Sequence, residues 1–339
     1  MSEDTRGVHY RPLPEQPQLE PESPEPEPEP PSAEDRIIQR ILGATRSIRH
    51  SNEPLRVPPG DDAAVLSDGT VLTTDMLIEG RHWDDRLSPE DVGYKAVAVS
   101  VSDLAAMGAT PTWMLLNLAV PGDDPWIIGF TNGLRAACIE FKIDLVGGDT
   151  VSTSGPRVVA VQLAGRLIGP VMTRRGAQAG HSVLVSGIPG LAGAGYLSDK
   201  PHADALAALR RPRPQQALAI AIAPYVSAAM DLSDGLVHDL PRLCRASGVG
   251  AIVDADALPD HPALHVATVP RRTLQLAAGD DYELLFTVPH DQVHTVVTHA
   301  RSLGTNVHVI GRCTESMAVR PRSGAWPAPP WQHFPAGAL

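Results

Sequence analysis

Apolar residues at Ile37, Ile38, Ile41 and Leu42 recur at three- and four-residue intervals, which predicts a helix opening near Glu34. Short apolar runs at 63–66 and 71–74 predict two strands. At Ser88-Pro89-Glu90-Asp91 the pattern turns helical again, with Ser88 as N-cap, Pro89 in the first position and Asp91 closing a box-like motif. That helix is expected to run to Met107 and stop at Gly108. A strand at 113–120, a helix at 124–141, a strand at 143–146 ended by Gly147-Gly148 and a strand at 158–167 complete the first half.

Gly169-Pro170 and a polar turn at 174–180 mark a boundary. Beyond it, strands at 182–186, 251–253, 284–288 and 307–310 alternate with helices at 191–197, 204–209, 215–222, 236–246 and 292–302. Both halves therefore read as α/β or α+β, in domains at 36–170 and 171–339. Residues 1–35 are different in kind, with nine prolines and the run P-E-P-E-P-E-P. Proline removes backbone donors and glutamates repel one another, so this tail is expected to be extended and disordered.

Charge sharpens that division. The chain carries −11, but the tail holds ten acids against Arg6 and Arg11, leaving −3 for the other 304 residues. No basic face is implied, which argues against a nucleic-acid binder. The longest apolar run, 217–223, stops at Pro224 and is too short to span a bilayer. No basic and apolar leader opens the chain, so a cytoplasmic protein without membrane attachment is expected. Cys138, Cys244 and Cys313 stand far apart, which excludes a cysteine zinc knuckle and suits a reducing compartment.

The chemistry lies in six acidic islands, each beside Gly, Ser or Thr and each following or interrupting an apolar run. They are G-D-D at 60–62, T-T-D at 73–75, V-S-D at 101–103, G-G-D-T at 147–150, D-L-S-D-G at 231–235 and G-D-D-Y-E at 279–283. One such island is ordinary turn or cap chemistry. Six that converge would repel strongly unless a cation neutralised them, and hard oxygen donors suit Mg²⁺ better than zinc. Mg²⁺ readily shares its shell with phosphates, so the pattern points to phosphate chemistry. No G-x-x-x-x-G-K-[ST] loop and no protein-kinase set is present. The glycine-rich stretch 187–195 reads as a tight strand-to-helix turn, and His261 and His265 as a surface loop rather than a metal site.

These islands, as G-D-D-A-A-V-L, T-T-D-M-L-I-E-G-R-H-W, Y-K-A-V-A-V-S-V-S-D-L-A-A-M-G-A, G-G-D-T, M-D-L-S-D-G-L and G-D-D-Y-E-L-L-F, resemble in kind and order those of the thiamine-monophosphate kinase family. That family falls in the aminoimidazole-ribonucleotide synthetase-like superfamily. The resemblance implies a two-domain α/β (α+β) fold, an N-terminal sheet domain that forms a homodimer, and an ATP site in the cleft with the C-terminal domain. It implies several Mg²⁺ ions held by Asp62, Thr73, Thr74, Asp75, Asp103, Asp149, Asp231 and Asp234. ATP would meet Gly148, Asp149, Ser233 and Arg174, or its neighbour Arg175. Thiamine monophosphate would meet His82, Asp280 and Trp331.

The implied reaction is direct phosphoryl transfer from ATP to thiamine monophosphate, with no general base because the acceptor oxygen is already ionised. The chain departs from the family in having Asp280 where Glu is usual, and in its proline-rich tail. Other superfamily enzymes would bring a reactive cysteine, a glycine- and lysine-bearing signature or a cysteine-containing tail, none of which is present. A decayed, purely binding relative would have lost some of the acids. Lys95, inside the long helix, is left between a solvated or salt-bridged role and a phosphate contact.

Overall fold

The computed structural model describes residues 33–45, 55–122 and 125–329. Residues 1–32 of the proline-rich tail, Asp124 of the expected third helix, and Trp331 lie outside them, whereas residues 33–35, expected to be disordered, open helix α1. The first part of the chain runs α1 (Ala33–Thr45), β1 (Ala64–Val65), β2 (Thr70–Ile78), α2 (Pro89–Ala106), β3 (Ala109–Val120), α3 (Pro125–Phe141), β4 (Asp144–Ser152) and β5 (Val158–Leu167). Its five strands form one sheet in the order β1-β2-β5-β3-β4, antiparallel except for the β3–β4 pair.

The second part runs β6 (Ser182–Ser186), α4 (Leu191–Tyr196), α5 (Ala203–Arg210), α6 (Gln216–Ile222), β7 (Ala228–Leu232), α7 (Leu236–Ser247) and β8 (Gly250–Val253). After these come α8 (Arg271–Ala277), β9 (Glu283–Val288), α9 (Val293–Ser302), β10 (Val307–Thr314) and β11 (Val319–Pro321). The second sheet is ordered β11-β8-β10-β6-β9-β7, so β7 is an edge strand.

Helix α2 joins the two parts. Ser88 caps it through the reciprocal box with Asp91, as the sequence predicts. Fourteen of its eighteen residues are buried, which is what a helix apolar on every side requires. It packs against β2 and β5 of the first sheet and against β7 and β9 of the second. Gly93 and Gly133 let α2 and α3 cross closely, because a Cβ on Gly133 would sit 1.8 Å from the Glu90 carbonyl oxygen.

Several elements differ from the sequence reading, β11 among the unexpected ones. Strand β4 does not end at Gly147-Gly148 but passes through them. Gly148 has φ +152 and crosses so near β3 that a Cβ would lie 1.8 Å from the Leu116 carbonyl oxygen. The glycines permit a close approach within the strand. Strand β7 and helix α8 were not expected at all. Residues 262–265 form a short 3₁₀ helix that His261 caps through Nδ1, while His265 pairs with Asp260.

Candidate active site

Strand alternation along β2 turns Val71, Thr73, Asp75 and Leu77 toward α2 and leaves Leu72, Thr74 and Met76 on the exposed face. Beyond Tyr94, helix α2 is polar only where it meets acids or their loops. Ser100 and Asp103, three apart, serve the β2 side. Lys95 and Ser102, seven apart, share another face and reach the second sheet. The Thr73 hydroxyl donates to Asp103 Oδ2, and the Ser102 hydroxyl donates to Asp231 Oδ2 at 3.0 Å. Asp231 lies in β7, all five residues of which are buried.

The loop before β1 supplies Asp61 and Asp62. Oxygens of Asp62, Asp103 and Asp231 come within 4.8 Å of one another. Arg174, on the segment joining the two sheets, donates to Asp62 Oδ1 through Nε at 3.2 Å and through a terminal nitrogen at 2.5 Å. Its backbone N–H donates to Asp61 Oδ1 at 3.0 Å. Acids distant in sequence are thus brought together: Asp62 from the loop before β1, Asp103 from the linking helix and Asp231 from the second sheet, with the charge of Asp75 on β2 acting on Asp103 and Asp231.

Electrostatics records the strain of that gathering. Burial, and then the neighbouring carboxylates, push Asp103 and Asp231 well above the ordinary carboxylate range. Burial raises Asp62 despite the opposing charge of Arg174, and raises Asp75 as well. Burial and then Asp62 bring Asp61 to about 6. Asp62 Oδ2 and Asp75 Oδ2 are buried with no hydrogen-bond partner. A buried carboxylate oxygen left unpaired is costly, so each marks a place where a cation would be welcome. The donor set is all oxygen, carries excess negative charge and lacks a histidine or thiolate. It fits Mg²⁺.

Residues 60–167 match the N-terminal domain, and residues 178–322 the C-terminal domain, of the AIR synthase related proteins. The thiamine-monophosphate kinase of Salmonella typhimurium is 39% identical over 259 residues, covering 71% of this chain and 79% of that one. The chain belongs to the thiamine-monophosphate kinase family. Its fold matches the solved thiamine-monophosphate kinase of Stenotrophomonas maltophilia K279a at TM-score 0.71 and 35% identity, over 86% of this chain and 98% of that one. A solved complex of AaThiL with AMPPCP and TMP matches at TM-score 0.76 and 30% identity, over 88% and 96%.

The positions expected from the thiamine-monophosphate kinase resemblance separate into groups. Asp62, Thr73, Asp75, Asp103, Asp231 and Arg174 gather in the cleft; Arg175 does not share the contact with Asp62. Asp234 stands beside them but is ion-paired to Arg242, which also holds the fully buried Asp239 at 3.2 Å. Arg242 was missed in the sequence, although its place three residues after Asp239 on the same helix, and eight after Asp234, was a usable signal. The Ser233 carbonyl accepts from the Asp280 N–H at 2.6 Å, which ties the D-L-S-D-G and G-D-D-Y-E loops together.

Three positions are not brought to the cleft. The Thr74 side chain points to the opposite face of β2 from Thr73 and Asp75, where it accepts a hydrogen bond from Gln162. Asp149 lies exposed on edge strand β4, paired in register with Asn117. With Gln162 and Asn117 these two side chains form a polar row across the exposed face. Gly148 shares that edge. His82 sits in the turn after β2, with Nδ1 accepting from the Ile78 N–H at 2.9 Å.

Proposed function

We propose that this chain transfers the γ-phosphoryl group of ATP to thiamine monophosphate, giving thiamine diphosphate and ADP. Family membership supports the reading, and the observation that carries it is the convergence of Asp62, Asp103 and Asp231, with Asp75 acting on them electrostatically and two buried oxygens left orphaned. Two phosphorylated ligands must be brought together against their own repulsion. The acceptor oxygen is already ionised at neutral pH, so no general base is needed, and alignment with charge neutralisation does most of the work.

Mg²⁺, held by those four aspartates with the Thr73 hydroxyl alongside, would supply the neutralising charge between the phosphates. The protein's own groups orient. Ser102 fixes the Asp231 carboxylate, Thr73 fixes that of Asp103, and Arg174 fixes Asp62 while offering a cation to the nucleotide. Asp280 and His82 are assigned to thiamine monophosphate, and Ser233 to ATP.

The domains are taken as 36–170 and 171–339, dividing between the end of β5 and the start of β6. The protein is assigned to the cytoplasm as a homodimer joined through the first sheet. That sheet exposes Leu72, Met76, Trp113, Leu115, Leu145 and Val151 in one region, more apolar surface than a solitary domain usually leaves bare. No helix among the described residues is long and apolar enough to cross a membrane, and Cys138, Cys244 and Cys313 are free thiols.

Incubation with ATP, Mg²⁺ and thiamine monophosphate, followed by chromatography for thiamine diphosphate, tests the reading. Product that depends on all three supports it. Turnover of ATP that ignores thiamine monophosphate would overturn it.

A further inference from the structure

No other lysine or arginine among the described residues is as buried as Lys95, whose side chain is 1% exposed. Its ammonium donates to Asp280 Oδ2 at 2.5 Å and to the Leu209 carbonyl at 3.1 Å, and lies 5.9 Å from the centre of the Tyr282 ring. The ion pair joins residues 185 apart in sequence, from the linking helix to the loop that precedes β9. A buried ion pair is a poor device for stability, because apolar side chains of the same volume serve as well or better. Something other than stability therefore accounts for a charge at this place.

Asp280 supplies the reason. Its side chain is 32% exposed, and among the described residues its Oδ1 accepts no hydrogen bond. Its backbone is left-handed, φ +67, between Gly279 at +69 and Tyr282 at +53. A non-glycine residue stays in that region only when its surroundings hold it. Here the N–H is tied to the Ser233 carbonyl and one carboxylate oxygen is tied to Lys95. The other oxygen has no such tie, and the side chain is one-third exposed.

We propose that Lys95 is a positioning and selectivity residue: its buried ammonium anchors one oxygen of Asp280 so that the other meets the cationic part of the acceptor molecule. The inference rests on the assignment of Asp280 to thiamine monophosphate, whose thiazolium ring carries a permanent positive charge. A carboxylate already fixed in place loses less freedom on binding than a mobile one. Anchoring also suits the shorter Asp at a position where the family usually has Glu, since a short side chain has little reach to correct its aim.

Calorimetric titration of the full-length protein with thiamine monophosphate, together with KM for each substrate, tests this. Lys95→Gln keeps a donor for Leu209 and removes the charge. Its Kd and KM for thiamine monophosphate should rise about tenfold or more, with KM for ATP held within about twofold. Asp280→Asn should weaken thiamine monophosphate equally, and adding Lys95→Gln to it should cost less than about twofold more.

Should the neutral side chain prevent folding, Lys95→Arg decides the matter. Its forked head keeps the charge but shifts the carboxylate, so a loss confined to thiamine monophosphate supports the inference and native binding overturns it. Unchanged binding in Asp280→Asn means that the assignment of Asp280 has failed. Weakened binding in Asp280→Asn beside unaffected, folded Lys95 variants, or equal losses for both substrates in those variants, overturns the role of Lys95 alone.

Discussion

Arg174 places two donors on one oxygen of Asp62 and leaves that carboxylate's second oxygen buried without a partner. The guanidinium answers half of the buried group and points to a cation for the rest. Arg174→Met should therefore raise KM for ATP and also destabilise the magnesium-free protein. The second effect should be about 3–5 kcal/mol, the scale of stranding a buried charge. Denaturant unfolding with and without Mg²⁺ checks both halves, since Mg²⁺ should recover part of the loss.

Neutralising one acid of the cluster should separate stability from activity. Asp231→Asn or Asp75→Asn is expected to lower kcat at least ~10²-fold, as loss of a preorganised electrostatic partner does. Without Mg²⁺ the same variants should melt higher than the native protein, because a buried, repelling carboxylate has been removed. Near-native turnover in both would contradict the assignment.

Glu283 gives a pH dependence with a definite sign. Burial pushes it up to about 7 in the folded protein from an ordinary 4.5, against the hydrogen bond from Ser186. A raised carboxyl favours the folded state below its unfolded value and loses that contribution as pH climbs. Stability of the metal-free protein should fall between about pH 4.5 and 7, and Glu283→Gln should flatten that fall. Unfolding titrations across the window measure the difference.

Gly148→Ala should disturb the first sheet. Its Cβ would lie 1.8 Å from one Leu116 backbone atom and 2.7 Å from the next. The cost should be about 1–3 kcal/mol as β4 is pushed from β3. Calorimetric melting reads the loss, and Gly147→Ala, which meets only the far end of Leu115 at 3.3 Å, is the milder control.

Trp113→Arg places a charge in the exposed apolar face of that sheet. The variant is expected to remain folded and to sediment as a monomer, and the native protein is expected to sediment as a dimer. Sedimentation velocity distinguishes the two.

The long helix, its cap and most strands were legible because period and punctuation agree there. Strand β7 was not, although its apolar run was plain. Alternation carries no signal when every position is buried, and Asp231 breaks the run. The glycines of β4 were misread because their reason lies in the neighbouring strand, not in their own segment. The acidic islands could be picked out one by one from local composition. That Thr73 and Thr74 part to opposite faces follows from alternation alone once β2 is known to run through Asp75. No local pattern links Lys95 to Asp280, since only tertiary structure brings residues 185 apart together.

Crystals grown with an ATP analogue and Mn²⁺ in place of Mg²⁺ offer the most direct test, read from the anomalous signal of the metal. The account predicts metal peaks within about 2.5 Å of carboxylate oxygens of Asp62, Asp75, Asp103 and Asp231, adjoining the nucleotide phosphates. A nucleotide bound in the cleft with no metal at those four side chains would contradict it.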